Sequence, residues 1–357
     1  MIRFVLQFAL RLVFANMFVN AIVPISDIYI PDGFIINQLL KDLESQSHQI
    51  IKTICFETNC NNSTITGKNS LVVDSLDYSL RLSIDSKGNV KICTNLDSYK
   101  VHDCSFMFSG LDSLRSINLS GLDTSDSKSM RSMFQNCISL ESVDISSLKT
   151  HNVKIMMDMF SGCTNLQCLS FNNLDLSKLE TVAGLFQECK SLKDVSFKNN
   201  STRTIKRTEN MFLNCENLIH LEMSDLNLSK VSYAVNMFKN CTRLEHLDLN
   251  NFSAKNLDFA DEMFSGCSSL KVLELQNMET THRPGLRRLF YGAFQDDGKL
   301  YLGKNFKIDE CDVCEEIFRG CGHISIEGKI RLRNRLHLQS LVEDGVKSKI
   351  DNDSIFP

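Results

Sequence analysis

Apolar side chains along this chain alternate between two periods, and the pair recurs every 26 residues. Met130, Met133, Phe134 and Cys137 stand at i, i+3, i+4 and i+7, the buried stripe of a short helix. Leu140, Val143 and Ile145 then follow as LxxLxL, closing at the two-residue period of a strand. Leu148 ends the turn before the next stripe. One such unit leaves half its apolar residues uncovered, so units must stack to share a core. Phe108, Phe134, Phe160, Phe186, Phe212, Phe238, Phe264 and Phe290 hold this register without a slip. Most are preceded by Met, and Cys137, Cys163, Cys189, Cys215, Cys241 and Cys267 follow three residues on. Leu114, Leu140, Leu166, Leu192, Leu218, Leu244 and Leu270 form another column, and Ile317, Phe318 and Cys321 begin a ninth unit offset by two. The expected architecture is an α/β repeat with a parallel strand face and short helices opposite. Strands about 4.8 Å apart would give roughly 35 Å of continuous sheet.

The repeat occupies residues 104–328, and its flanks read differently. Residues 22–103 predict an α+β cap, with a helix near Gly33 to Thr53 and strands over Ser79–Ile84 and Asn89–Cys93 joined at Ser86-Lys87-Gly88. An open repeat needs such a polar cover. Residues 1–21 carry Arg3 and then an apolar run ending Val19-Asn20-Ala21. That pattern fits a signal peptide cleaved after Ala21, with a retained membrane anchor or a plain helix as the alternatives. Residues 329–357 begin basic, with Lys329, Arg331, Arg333 and Arg335, and continue as a polar tail.

Composition narrows the function classes. With 43% hydrophobic residues and 23% charged ones the chain is globular. A net charge of −4 gives no case for nucleic acid, which is held by clustered Lys and Arg. No glycine-rich phosphate loop, nucleophile elbow or HExxH is present, and the eight histidines are scattered. No catalytic residue and no cofactor is expected.

Cysteine usage separates into groups. The six-cysteine column shares a stripe with Met and Phe, where a small, weakly polar side chain packs well, so buried free thiols are expected. Its helices would also stand too far apart for bridging. Cys55, Cys60, Cys93 and Cys104 lie outside the column; after export, at least one bridge among them is expected, with three connectivities open. Cys311, Cys314, Cys321 and His323 superficially suit zinc, yet Cys314 and Cys321 fall in core columns, and no metal is expected there.

Ligands of repeat proteins meet the strand face. One outward column reads Asn118, Asp144, Ser170, Ser196, Glu222, Asp248, Glu274, and His220 and His246, beside Glu245, stand one row over. Cys168 is predicted to face solvent on a strand. His220, Glu222, Glu245, His246, Asp248 and Glu274 are therefore the candidate site: an acidic patch with two stacked histidines, suited to a basic peptide or a cation and sensitive to pH.

The unit MFxxCxxLxxLxLxxLxTxxxxxM, seen from Met133 to Met156, resembles the BspA-like leucine-rich repeat surface proteins of host-associated bacteria, mycoplasmas and some mucosal protists. The lead-in from Ile84 to Phe108 is similar as well. The resemblance implies a leucine-rich-repeat solenoid, secretion or surface display, and adhesion to a protein or cell-surface ligand without catalysis. An intracellular scaffold for protein–protein interaction is the alternative. Membrane contact is expected only if the N-terminal segment is retained.

Overall fold

The computed structural model describes residues 32–327, apart from 59, 61–68, 75–78, 201, 253–256, 279, 281–283, 304–305, 307–314 and 323. The segments 1–21 and 329–357 and the positions Cys311, Cys314 and His323 lie outside the described residues. One helix is present among the described residues, α1 (Gly33–Ser47), and the rest is strands and turns. No described helix is long and apolar enough to cross a membrane. Helix α1 stops earlier than expected because His48 takes a left-handed conformation, φ 56°. The residues after it form β1 (Thr53–Glu57), which pairs with neighbours on both sides.

The expected short helices are absent from the described units, and tight turns replace them. In the second unit the amides of Met133, Gln135 and Cys137 donate three residues back, to Met130, Ser132 and Phe134 at 3.3, 3.1 and 3.1 Å. The alternate amides leave the unit altogether. Ser132, Phe134 and Asn136 donate to the carbonyls of Met157, Met159 and Ser161 in the next unit, at 2.9, 2.8 and 2.8 Å. An α-helix would have spent all these donors within itself. The geometry requires left-handed residues two before and two after each phenylalanine, such as Ser132 (φ 53°) and Asn136 (φ 57°). Glycine, Asn and Asp tolerate that conformation best, and Gly162, Gly184, Asn214, Asn240 and Gly266 share these two columns. Where Asn follows Asn, the side chains link too: Asn240 Nδ2 donates to Asn214 Oδ1 at 2.7 Å.

This turn side carries the longest run of pairing between units. Parallel bridges join Ser129 to Ile155, then Thr181, Arg207, Tyr233, Phe259 and Gly285 in succession. The strand side is broken instead of forming one continuous sheet. Strands β8 (Cys168–Ser170), β9 (Asp194–Ser196) and β10 (His220–Glu222) make one parallel sheet. A second contains β11 (His246–Asp248), β12 (Val272–Leu275), β13 (Gly298–Leu302) and β14 (Ile324–Glu327). Strands of three or four residues offer few bonds each, so small offsets interrupt the ladder there.

Between the two sides lies the core. The phenylalanine column is fully buried and its rings stack at 5.2–5.9 Å from Phe108 through to Phe318. Each column cysteine lies beside it with its thiol donating to the phenylalanine carbonyl of the preceding unit. Cys163 Sγ, for example, reaches Phe134 O at 3.0 Å, and Cys189 Sγ reaches Phe160 O at 3.1 Å. A thiol is a weak donor and a good apolar filler, and both properties are used here.

The first unit would expose a row of unpaired carbonyls, and α1 covers them. In interior units Ser129, Met133 and Gln135 O accept Cys104, Phe108 and Gly110 N–H from the unit before. The equivalent carbonyls of Asp103, Met107 and Ser109 accept Gly33 N–H at 2.7 Å and Asn37 Nδ2 at 3.4 and 2.9 Å. A Cβ on Gly33 would lie 2.8 Å from the Cys104 carbonyl carbon, so this approach demands glycine. On the strand side β1 pairs in parallel with β6 (Ser116–Asn118) and with β4 (Asn89–Thr94), which leads through β3 (Ser79–Ile84) to β2 (Ser70–Asp74).

Two outcomes are expected. Phe186→Ala empties the space between Phe160 and Phe212 and costs about 3–5 kcal/mol in chemical denaturation. Hydrogen exchange should rise most in the flanking units, and an even rise along the chain would contradict unit-to-unit stacking. Asn37→Ala leaves buried carbonyls without a donor and should cost about 1–3 kcal/mol, read the same way, with exchange rising first around Met107.

Candidate functional site

A groove of about 850 Å³ opens on the strand face across β8, β9 and β10. Its floor is made by Leu169, Val195 and Leu221, the middle residues of those strands, which point inward because side chains alternate. The outward residues form two rows. Cys168, Asp194, His220 and His246 stand in one, and Ser170, Ser196, Glu222 and Asp248 in the other. Parallel register fixes the neighbours: Cys168 opposite Asp194 and Asp194 opposite His220.

Four of the six expected residues, His220, Glu222, Glu245 and His246, line the groove. Asp248 and Glu274 lie further along, on β11 and β12. The patch is less bare of cations than the column of acids implies. Lys198 pairs with Glu222 at 3.6 Å and Lys271 with Glu245 at 2.8 Å. The Lys271 ammonium, hydrogen-bonded to Glu245, holds that carboxyl below its ordinary range. Ser224 donates to Glu222, Asn250 N–H donates to Asp248, and Asn250 and Gln276 side chains donate to Glu274. These lysines come from neighbouring units or from beyond the strand, positions that the outward column alone does not contain. Sequence reasoning also left Asp194 and Cys168 out of the histidine row, although the 26-residue spacing joins them to it.

The cysteines outside the column divide. Cys60 and Cys93 form a disulfide with Cα atoms 5.9 Å apart. Cys55 is a half-buried thiol donating to Val90 O at 3.6 Å, and Cys104 is a fully buried one. Glu57, which pairs with Lys91 at 2.8 Å, sits against the disulfide. Glu57, Cys60 and Cys93 are the one group among the described residues whose metal-ligating atoms all fall within 4.8 Å of one another. Their sulfurs are spent on the bridge.

All six column cysteines are buried free thiols. Burial pushes each of them up from 9.0, Cys267 to about 12, because an apolar core penalises thiolate. Cys104 is likewise pushed up to about 12. Cys168, in contrast, is exposed.

A family model described as "Mycoplasma protein of unknown function, DUF285" matches residues 81–200 and, overlapping them, 180–301. No curated protein matches the chain. The crystal structure of a leucine rich cell surface protein from Faecalibacterium prausnitzii is 13% identical, with 76% of this chain and 97% of that chain covered and a TM-score of 0.27.

Thiol chemistry should follow the burial. In the native chain an alkylating reagent is expected to modify Cys168 well before the column, which reacts only on unfolding; mass spectrometry of the labelled peptides checks the order. Unfolded thiols ionise near 9.0 while the folded ones stay protonated to higher pH. Stability is therefore full below that value and falls as pH rises from 9.0 towards 12. A melting temperature that held constant over this window would contradict it.

Proposed function

Because the chain belongs to the family described as Mycoplasma protein of unknown function, DUF285, whose two matches together run over residues 81–301, we propose a role that this description does not carry. The protein is a non-catalytic, secreted or surface-displayed leucine-rich-repeat solenoid, and it binds a protein or host- or cell-surface ligand in its strand-face groove. The observation that carries this reading is the groove itself. It combines an apolar floor with outward imidazoles and carboxylates held at fixed spacing by stacked units. Such a surface suits recognition, in which apolar contact gives affinity and a polar rim gives specificity. The Cys60–Cys93 bridge supports export, since disulfides persist in oxidising compartments. The free column thiols do not argue against it, because each is buried and engaged with a carbonyl.

A second surface sets the control. On the turn side Tyr233 and Phe259 are exposed and stack at 5.5 Å, with Arg207 over Tyr233 at 5.2 Å. Beads coated with the chain should adhere to cultured epithelial cells, and soluble chain should compete. Glu222→Lys with Glu245→Lys, and separately His220→Ala with His246→Ala, should reduce adhesion while leaving the unfolding transition in place. Unchanged adhesion in those variants, with loss in Tyr233→Ser and Phe259→Ser, would move the site to the turn side. Absence of adhesion by the parent chain would remove the adhesive reading for this cell type.

A further inference from the structure

Parallel bridges run along the turn side from Ser129 to Gly285, so residues of successive units stand side by side in columns. Three of the eight exposed large hydrophobics among the described residues fall in this one bridge column: Ile155, Tyr233 and Phe259, 36%, 38% and 45% exposed. Met157 and Val235, two residues after the first two, are half-buried beside them. Charge divides along the same face. Lys128 and Arg131 flank the column in the second unit, and Asp258 and Asp261 flank it in the seventh. Among the described residues Lys128, Arg131 and Asp258 have no ion-pair partner.

We propose that this face is an interface with a second copy of the chain, set antiparallel about a two-fold axis that passes between the fourth and fifth units. An axis lying across the array keeps each column facing itself and reverses the order of units. The second unit then meets the seventh of the other copy, the third meets the sixth, and the fourth meets the fifth, each contact occurring twice. Lys128 faces Asp258 of the second copy, and Arg131 faces Asp261. Ile155 and Met157 face Tyr233 and Val235. Phe259 falls between Lys128 and Arg131, cations that an aromatic ring attracts. At the axis the small Thr181 and Ala183 face the long Arg207 and Glu209, which already pair with each other at 2.7 Å.

The register follows from the same residues. Sliding by one unit in one direction sets Glu209 against its own copy and Arg131 against Arg287. Sliding in the other sets Arg131 against Val235 and Met157 against Glu209. A parallel arrangement brings Lys128 and Arg131 of both copies together, and likewise Asp258 and Asp261, which like charges oppose. Six units about 4.8 Å apart give a contact roughly 25 Å long. A strip of that length and three columns wide is smaller than the about 800 Å² that a standard interface takes from each partner, so a weak, micromolar dimer is expected. The strand-face groove lies on the other side of the core, so both copies keep it open and the inference does not depend on what the groove binds.

Sedimentation equilibrium of the full chain from about 1 to about 100 µM tests this. A monomer–dimer equilibrium is expected, weakening as salt rises. Asp258→Lys with Asp261→Lys should leave a monomer, as should Lys128→Asp with Arg131→Asp. All four substitutions together set opposite charges across the axis again and should restore the dimer, a rescue that loss of folding cannot mimic. Ile155→Ser with Tyr233→Ser should also leave a monomer that unfolds in one cooperative transition. A dimer untouched by these changes would overturn the inference, and so would one that each reversal breaks but the fourfold swap does not restore. A chain monomeric throughout the range would overturn it as well; loss of cell adhesion in Tyr233→Ser would then assign the face to a cell-surface ligand instead.

Discussion

Alternate backbone amides on the turn side donate forward into the next unit, and most of what this molecule is follows from that one arrangement. A residue such as Phe134 has its N–H in the following unit and its carbonyl bonded to Cys137 N–H and Cys163 Sγ. Neither half of that pattern is possible in an α-helix, where every interior donor points back four residues. Left-handed residues two positions to either side of each phenylalanine are the conformational cost, of order 1 kcal/mol or more wherever the residue is not Gly, Asn or Asp. Glu188 and Arg288 carry it nonetheless. The ring stack and thiol contacts are what the turns hold in place, and they recur unit after unit because the backbone register does.

The same constraint has consequences at the ends and on the opposite face. A ladder that donates forward leaves the first unit with carbonyls and no donors. Gly33 and Asn37 on α1 supply them, so the cap acts as an incomplete preceding unit. On the strand face β1 takes the same place beside β6. Edge groups left bare in this way would otherwise template pairing with another chain.

Because register is fixed on the turn side, the strand face need not form one unbroken sheet to be ordered. Its outward residues still fall into rows, and each row repeats at the unit spacing. Charges on neighbouring units then meet: Lys198 reaches Glu222 and Lys271 reaches Glu245, which leaves a mixed rim in place of a plain acidic patch. Against that background the groove across β8, β9 and β10 is the surface on which the proposed function rests.

The sequence alone determined the unit, its length and its inward residues. Periodicity of apolar side chains is a direct record of which positions must avoid water, and Phe134, Cys137 and Leu140 are all buried as their columns require. It also marked His220, Glu222 and His246, since outward positions on a strand alternate with the inward leucines, and Glu245 as the neighbour of His246. It did not distinguish a short helix from a succession of turns. Both bury residues at i, i+3, i+4 and i+7, and they differ only in where the amides donate, which depends on a neighbour 25 residues away. Asn and Gly in the left-handed columns, such as Asn136, Gly162, Asn214 and Asn240, were the local sign of turns. The pairing of Cys60 with Cys93, the ion pair of Lys198 with Glu222 and the cap's donation to Met107 and Ser109 were decided by tertiary structure alone. Each joins residues whose separation along the chain carries no periodic signal, or whose side chains leave the column that the signal describes.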